Sequence, residues 1–325
     1  MGAVGAVVGA IPVVLAAIGT VTLSTRSCPD PFVAALQLVL PWTALASAVV
    51  AIVAAVAGAA PLATAAAISS TGAAIVLVPR LRRTARPGRA GDGPRCSIAL
   101  ANLYLDNAEA DEAARQLIEQ APDVIVMTEL TDELVAAFDR QAAGVYRRRV
   151  HPDPLEGEYE PGIFVADHLD VVDTSIGSVG PLRTVEATVV VGGRPLRILT
   201  VHPVAPTGRA DFARWRAQLR ALRDHLSISD GATVVLGDLN AGTLQVPYED
   251  VVRRTRFRDA HDVFGVGLHP SWGIAPGLPR WVPTLVARLD HLLVSPEITV
   301  CRLDDLDPVG SDHRPFVATL AVGEP

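Results

Sequence analysis

Apolar positions dominate the first quarter of the chain. Up to residue 78 the only charged residues are Arg26 and Asp30. The apolar sequence falls into three stretches, at residues 3–23, 32–57 and 60–78. Each is long enough to cross a hydrocarbon core ~30 Å thick. A cleaved signal peptide before buried helices is the alternative, but a signal peptide begins with basic residues and none precedes Arg26. We therefore predict a transmembrane region at residues 1–79, with about three spans.

Short apolar runs separated by turns follow this region. Residues 80–95, rich in Arg, Gly and Pro, are typical of a linker, and we assign residues 96–325 to a separate domain. Eight of its apolar runs predict strands: 96–105, 123–130, 162–167, 184–191, 194–202, 233–240, 289–295 and 316–322. Gly192 and Gly193 separate two of these runs and predict a β-hairpin. Two segments with helical spacing predict surface helices: 108–120 and 209–226. Because strands outnumber helices, we predict a mixed, largely antiparallel α/β architecture.

Charge and cysteine content narrow the classes of function. Apolar residues make up 50% of the chain and the mean hydropathy is +0.33. Of the 28 basic and 35 acidic residues, seven and two precede Cys96, which leaves residues 96–325 with a net charge of about −12. A protein that binds duplex nucleic acid non-specifically shows the opposite sign, since phosphate neutralisation supplies most of its affinity. Cys28, Cys96 and Cys301 lack the number and spacing of a disulfide framework or a zinc site.

Polar side chains at the ends of the predicted strands need an explanation. They are Asn102, Glu129, His202, Asp238, Asn240, Asp290 and the triplet Ser311, Asp312 and His313. Taken singly, most of them are typical of a turn or a helix cap. Asn102 and Asp290, however, lie inside apolar runs, where a polar side chain is costly unless a partner satisfies it. The whole set on one domain predicts a shared site at one end of the strands.

The chemistry of this set is that of metal-assisted attack by water on a phosphoester. Glu129 can bind a hard divalent cation, with Asn102 and Asp312 as further oxygen ligands, and Mg²⁺ prefers such ligands. The two histidines and a second carboxylate are left for proton transfer and charge stabilisation. The chain contains no Gly-x-Ser-x-Gly segment, Walker loop or Gly-x-Gly-x-x-Gly segment, so a serine hydrolase, an ATPase or a dinucleotide enzyme is unsupported.

In chain order, these residues fall in segments that resemble the motif series of the endonuclease/exonuclease/phosphatase superfamily. The segments are ANLYLDN, MTEL, VHPVAP, GDLN, SW, RLDHLLVS and SDHRP. The resemblance covers residues 96–325 and implies a four-layer α/β sandwich, in which two mixed, mostly antiparallel sheets are flanked by helices. The site is then expected at one end of the two sheets. The apolar N-terminal region and the VHPVAP segment are similar to a membrane-anchored bacterial branch of the superfamily.

The resemblance also implies a metal site. Glu129 would be the principal Mg²⁺ ligand, with Mn²⁺ as an alternative ion, and Asn102 and Asp312 would lie beside it. The chain departs from the pattern at two positions. Thr128 stands where many members have Gln, and Tyr104 stands where some have Asp or Glu. The second departure favours one metal ion rather than two.

Catalytic roles are implied in the same way. Asp238 would orient or deprotonate the attacking water, and Asn240 would help to hold the phosphate. His202 and His313 would stabilise the negative oxygens of the transition state. Asp290 would fix the tautomer and charge of His313, since a buried carboxylate raises the pKa of an adjacent imidazole. Two further motif residues would support the site: Trp272 and Ser311.

These features predict a membrane-anchored, Mg²⁺-dependent phosphoesterase, and a lipid-linked phosphate is one candidate substrate. A metal-dependent nuclease is the alternative, which the negative charge disfavours. A non-catalytic membrane receptor is a third, which the complete residue set disfavours. The side of the membrane is a separate question, on which two indications disagree. The arginines of residues 80–95 favour the cytoplasm, whereas the domain is often extracytoplasmic in the branch that the chain resembles. Because long domains can override loop charge, we expect the extracytoplasmic side.

Overall fold

The computed structural model describes residues 3–81, 93–142, 144–152, 161–273 and 285–323. Most of the predicted linker lies outside these residues. Within them the helices are α1 (Ala3–Ser24), α2 (Pro31–Leu38), α3 (Leu40–Val56), α4 (Ala60–Leu81), α5 (Ala110–Glu119), α6 (Asp132–Ala142), α7 (Arg209–Ser227), α8 (Val246–Arg253) and α9 (Ala260–Val263). The strands are β1 (Arg95–Asn102), β2 (Val124–Thr128), β3 (Arg148–Val150), β4 (Gly162–Val165), β5 (Asp170–Val179), β6 (Leu182–Val191), β7 (Arg194–Val201), β8 (Thr233–Asp238), β9 (Arg258–Asp259), β10 (Trp272–Gly273), β11 (Leu285–Ala287), β12 (Asp290–Val294), β13 (Ile298–Asp305) and β14 (Phe316–Val322).

Two six-stranded sheets form the body of the chain from β1 onwards. The strand orders are β13-β14-β1-β2-β4-β3 and β5-β6-β7-β8-β12-β9. In each sheet one neighbouring pair is parallel, β1 with β2 and β7 with β8, and the other pairs are antiparallel. The predicted hairpin joins β6 to β7, and its turn residues Gly192 and Gly193 have φ angles of 56° and 83°. The mixed, mostly antiparallel architecture is therefore confirmed.

The two sheets pack face to face and carry helices on their outer faces. Alternate residues of β1 point to opposite faces, so that Ile98 enters the core between the sheets and Ala99 faces α5 and α6. On the second sheet, Leu236 enters the same central core, whereas Val235 packs with Trp215 of α7. The order helices, sheet, sheet, helices is the four-layer sandwich that the sequence predicts.

The apolar N-terminal region forms four helices. Two of them, α1 and α4, are long and apolar enough to cross a membrane. The predicted span at 32–57 is not one helix, because the chain breaks at Val39 into α2 and α3, which are bent by 67°. Pro41 lies in the first turn of α3, where its missing N–H is not needed. A third span is present only if this bent pair is counted as one.

Two arginines connect the N-terminal helices to α8. Arg26 follows α1 and its Nη1 lies 2.8 Å from Oε2 of Glu249, while Nε of Arg80, near the end of α4, lies 2.7 Å from Oε1 of the same residue. The Glu249 side chain is only 5% exposed. Because Glu249 accepts hydrogen bonds from the guanidinium groups of both Arg26 and Arg80, the C-terminal ends of α1 and α4 are held against α8.

Candidate active site

The strand ends bring the predicted polar residues to one edge of the two packed sheets. In both parallel pairs the strands run towards this edge, where Asn102 and Asp238 end their strands and Glu129 and His202 directly follow theirs. The antiparallel neighbour β12 begins at the same edge, since Asp290 pairs with Asp238 in the ladder. Strand ends that lie more than a hundred residues apart in the sequence thus meet in one site.

Asn102 connects two carboxylates, those of Glu129 and Asp238. Its Nδ2 lies 2.9 Å from Oε1 of Glu129 and 3.1 Å from Oδ2 of Asp238. Its Oδ1 accepts a 3.0 Å hydrogen bond from the backbone N–H of Tyr104. The partner that the buried Asn102 needs is therefore the acidic pair itself.

Glu129 is held in an unusual backbone conformation. Its φ angle is 57°, in the left-handed region that non-glycine residues seldom occupy. The carboxylate is fixed from two sides, by Asn102 and by the backbone N–H of Leu105, which donates to Oε2 at 3.2 Å. Such strain is found at functional sites, where the surrounding structure holds the residue in place.

Two imidazoles flank Asp238. Nε2 of His202 lies 3.7 Å from Oδ2 of Asp238 and 4.0 Å from Oε1 of Glu129. Nε2 of His313 lies 3.6 Å from the same oxygen of Asp238. Asp238 is only 1% exposed. Its carboxylate therefore faces the two imidazole nitrogens rather than water.

His313 is oriented from behind by Asp290 and Ser271. Nδ1 of His313 lies 2.8 Å from Oδ2 of Asp290, which leaves Nε2 directed at Asp238. The hydroxyl of Ser271 donates to the same Asp290 oxygen at 2.6 Å and accepts hydrogen bonds from the backbone N–H groups of Leu289 and Asp290. Ser271 was not among the predicted site residues, although it begins the SW segment of the motif series.

The SDH triplet continues the same network. Oγ of Ser311 donates to the carbonyl of Asn102 at 2.8 Å and accepts from the backbone N–H of His313 at 3.0 Å. The indole Nε1 of Trp272 donates to Oδ2 of Asp312 at 3.1 Å. The structure therefore places Ser311 and Trp272 behind the acidic and basic groups, as neighbours that position them.

The GDLN segment is shaped by a close approach between β7 and β8. A Cβ atom at Gly237 would lie 1.8 Å from the carbonyl oxygen of Val201, so only glycine fits. Asn240 has a φ angle of 48°, and its backbone N–H donates to Oδ1 of Asp238 at 2.7 Å. Its side-chain Nδ2 donates to the carbonyl of Pro203 at 2.9 Å. This turn fixes the carboxylate of Asp238 and ties it to the loop after His202.

His291 is a second residue that was not among the predicted site residues. It is fully buried beside Asp290, and its Nε2 lies 2.8 Å from the carbonyl oxygen of Ala241 in the turn after Asp238. Its Nδ1 lies 2.9 Å from both Oδ2 of Asp259 and the hydroxyl of Tyr248. His291 therefore supports the turn after Asp238 from inside the protein. The signal for it was its place in the Asp-His pair of the RLDHLLVS segment.

Comparison with known proteins identifies the family. Residues 99–313 match the model of the Endonuclease/Exonuclease/phosphatase family. The chain belongs to this family. Its members are metal-dependent phosphoesterases and nucleases, and the protein is accordingly a hydrolase that acts on phosphoester bonds.

Solved structures share the fold. TDP2 from D. rerio, in complex with a single strand DNA product, has 19% sequence identity and a TM-score of 0.57, with 70% of this chain and 99% of that chain covered. An endonuclease/exonuclease/phosphatase from Bacteroides vulgatus has 15% identity and a TM-score of 0.55, with 70% and 99% covered. One from Beutenbergia cavernae has 18% identity and a TM-score of 0.53, with 71% and 72% covered. A search of curated proteins found no match.

Burial and charge give the site residues of this endonuclease/exonuclease/phosphatase protein different pKa values. Burial raises the pKa of Asp238, against the opposing effect of His313. Burial acts in the same direction on Asp290, but the charge of His313 and the hydrogen bonds from His313 and Ser271 outweigh it, so the pKa of Asp290 is lowered. For His313, burial lowers the pKa, but the carboxylates of Asp290 and Asp238 outweigh burial and raise the pKa to about 10. Asp290 therefore stays ionised, whereas Asp238, with its raised pKa, is suited to accept a proton.

Oxygen donors at the site fit a hard divalent cation. Ligand atoms of Glu129, His202 and Asp238 lie within 4.8 Å of one another. Oδ1 of Asp312 is buried and has no hydrogen-bond partner, which leaves it available to a cation. The predicted ligand Asn102 is the exception in its present orientation, because its amide NH₂ faces the carboxylates and its oxygen is bound by Tyr104. Its role as an oxygen ligand requires the amide to turn.

These groups line a cleft of about 740 Å³. Glu129, His202, Asp238, Asp312 and His313 all contribute to its surface. This volume is within the usual range for a small-molecule site.

Proposed function

We propose that the protein is a membrane-anchored, Mg²⁺-dependent phosphoesterase that hydrolyses a phosphate ester or pyrophosphate by attack of water. The observation that carries this proposal is the position of Asp238. Its buried carboxylate lies between the imidazoles of His202 and His313 and is joined to Glu129 through Asn102. Water activation, phosphate binding and charge stabilisation need such groups within a few ångströms of one another.

The metal ligands that we propose are Glu129 and Asp312, with Asn102 after its amide has turned. When bound, Mg²⁺ supplies positive charge to the phosphate oxygens and to the attacking water. Mn²⁺ takes similar oxygen ligands and is expected to substitute for it.

The catalytic steps fall to the residues around Asp238. With a raised pKa, Asp238 accepts a proton from the attacking water and orients its lone pair. His202 and His313 direct their Nε2 atoms to the same side and donate hydrogen bonds to the phosphate oxygens as negative charge develops. Asp290 keeps His313 in the donating, charged form. Asn240 also lines the cleft, where we expect it to help to hold the phosphate.

A nuclease is the second candidate function. It is favoured by the fold shared with TDP2, which has been solved with a single strand DNA product. The net charge of about −12 on residues 96–325 opposes it, because nucleic-acid affinity comes mainly from basic contacts with phosphate. Steep salt dependence of binding to single-stranded DNA would favour the nuclease, whereas salt-insensitive hydrolysis of small phosphate esters favours our proposal.

The test is hydrolysis by the full-length protein in detergent, with Mg²⁺ and a panel of phosphate esters, pyrophosphates, nucleotides and single-stranded DNA. We expect Asp238→Asn to lower kcat by about 10²- to 10⁴-fold, the usual value of a general base. Asp224→Asn, at a carboxylate 61% exposed on α7, is the matched control and should retain full activity. Absence of hydrolysis across the whole panel, or equal rates for the two variants, would refute the proposal.

We also propose that the catalytic domain lies on the extracytoplasmic side. Cys28 and Cys96 are buried and unsuitable for labelling. Ser175, exposed on strand β5, gives a better probe as Ser175→Cys combined with Cys301→Ser. A membrane-impermeant maleimide should label this variant in intact cells. Labelling only after the cells are lysed would place the domain in the cytoplasm.

A further inference from the structure

Helix α2 of the N-terminal region forms one wall of the catalytic cleft. Four of its residues line this cleft together with the catalytic groups: Pro31, Ala34, Ala35 and Leu38. All four side chains are aliphatic. The cleft therefore has a polar end, built by the carboxylates and imidazoles of the strand ends, and an apolar side that comes from the predicted membrane region.

Hydrogen bonds hold α2 in this position. Nε2 of Gln245 donates to the carbonyl of Ala34 at 2.9 Å, and the backbone N–H of Val246 donates to Oε1 of Gln37 at 3.1 Å. Gln37 is fully buried and Gln245 is 2% exposed, so these bonds form out of contact with water. A Cβ atom at Gly242 would collide with Leu38, which shows how closely the helix packs on the loop after Asp238. The apolar wall is a built part of the site.

The surrounding contacts place this wall at the boundary of the predicted membrane region. The ends of α1 and α4 are bound to α8 through Arg26 and Arg80. Only Val39 separates α2 from the apolar helix α3. Trp42, in the first turn of α3 next to the bend, is 46% exposed and is a residue type enriched where a membrane meets water. The open cleft and the end of the apolar helices therefore lie next to each other.

The loop after His202 adds further apolar surface to the cleft. Pro203, Val204, Ala205 and Pro206 line it, and so does Leu105. Two cationic side chains, Arg183 and Arg214, also contribute to the lining. This combination of a polar group of catalytic side chains, two aliphatic segments and few cations is matched by a ligand with one anionic group and a long apolar part.

We propose that the substrate is an amphiphilic phosphoester, with its phosphate at Glu129, Asp238, His202 and His313 and its apolar chain against α2. This inference rests on the proposed phosphoesterase function and adds the class of substrate. The apolar chain of the substrate enters the cleft from the side of α2. It need not leave the apolar phase completely for the phosphate to reach Asp238. A diacylglycerol-based and an isoprenoid-based phosphoester share this chemistry.

The test uses the full-length protein in detergent and a series of n-alkyl phosphate esters from about four to about twelve carbons, each kept below its critical micelle concentration. We expect kcat/KM to rise about fourfold for each methylene group that the wall buries, and by at least ~100-fold across the series. Ala35→Glu places a carboxylate on the wall at an exposed helix position, and it should lower the ratio of kcat/KM for the longest and shortest esters at least ~10-fold. Ala35→Leu, which keeps the wall apolar, should retain that ratio.

Ile228→Glu is the matched control, because Ile228 is 80% exposed at the end of α7 and does not line the cleft. This variant should leave kcat/KM unchanged for both the longest and the shortest ester. Two long esters of equal carbon number, one straight and one isoprenoid, then identify the source, and a preference for either supports the proposal. A wild-type rate that is independent of chain length, or an unchanged ratio in Ala35→Glu, would overturn it. The proposed function fails separately, if no ester of any length is hydrolysed in an Asp238-dependent manner.

Discussion

Gly237→Ala is the substitution whose effect the structure defines most sharply. The added Cβ would lie 1.8 Å from the carbonyl oxygen of Val201, and real contacts of this kind do not fall below 3.0 Å, so the two strands must separate by about 1.2 Å. Val201 ends β7 and Gly237 precedes Asp238, which means that the displacement falls directly on the carboxylate of Asp238 and on the loop that carries His202. Overpacking of a buried site costs about 1–3 kcal/mol. Misplacement of a reacting group by ~1 Å costs about 10²-fold in rate.

We therefore expect Gly237→Ala to lower the free energy of unfolding by about 2 kcal/mol and kcat by at least ~100-fold. Chemical denaturation and the Mg²⁺-dependent hydrolysis assay, both on the full-length protein in detergent, measure the two effects. Gly177→Ala makes the same chemical change on the exposed strand β5, where the nearest atom to the new Cβ would be Oγ1 of Thr184 at 3.8 Å. The control should stay within ~0.5 kcal/mol of the wild type and retain full activity. Activity of Gly237→Ala within about threefold of the wild type would show that the strand contact does not position Asp238.

Three other substitutions test separate parts of the structure. Asp290→Asn removes one of the carboxylates that together raise the pKa of His313 to about 10. In the wild type, the stabilisation from charged His313 is complete below the unfolded pKa of ~6.5 and is lost as the pH rises towards 10. In the variant this stabilisation should be smaller and its loss should be complete at a lower pH, as measured by the pH dependence of the unfolding midpoint, and an unchanged profile would contradict the pairing. Glu249→Gln removes the partner of Arg26 and Arg80 and should lower the stability of the full-length protein by about 1–3 kcal/mol, with Glu112→Gln, a 49% exposed carboxylate, as a near-neutral control in thermal unfolding. Tyr248→Phe deletes a buried hydroxyl shared by Asp259 and His291 and should cost about 1–2 kcal/mol in chemical denaturation, whereas equal stability would exclude a structural role for this network.

The central strands and the residues at their ends could be predicted because the signal is local. An apolar run that ends in Asp-x-Asn or in His-Pro is visible in a few consecutive residues, and the order of such exits along the chain pointed to a common site. The exposed strand β5 was not predicted, because nearly all of its positions face solvent and it shows no apolar face. Strand β13 was not predicted for a related reason. Its second half carries Arg302, Asp304 and Asp305, which interrupt the apolar pattern.

Long-range contacts explain the remaining differences. Hydropathy predicts one span at 32–57, and only the folded structure shows that Gln37 is buried against the catalytic loop and that the helix bends after it. Ser271 and His291 contribute through hydrogen bonds to residues that lie 18 to 50 positions away. The SW and RLDHLLVS segments contain both residues, but no local pattern shows which distant partners they bind.

The bonds between α2 and the loop after Asp238 have a consequence for biogenesis. Gln37 and the backbone of Val246 are 209 positions apart, so the helix is synthesised well before its partner leaves the ribosome. The cleft is completed only when the second sheet has folded against helices that are already in place. Hydrolytic competence would then be acquired only after synthesis of the second sheet, and a nascent chain with an incomplete cleft would not yet hydrolyse phosphate esters.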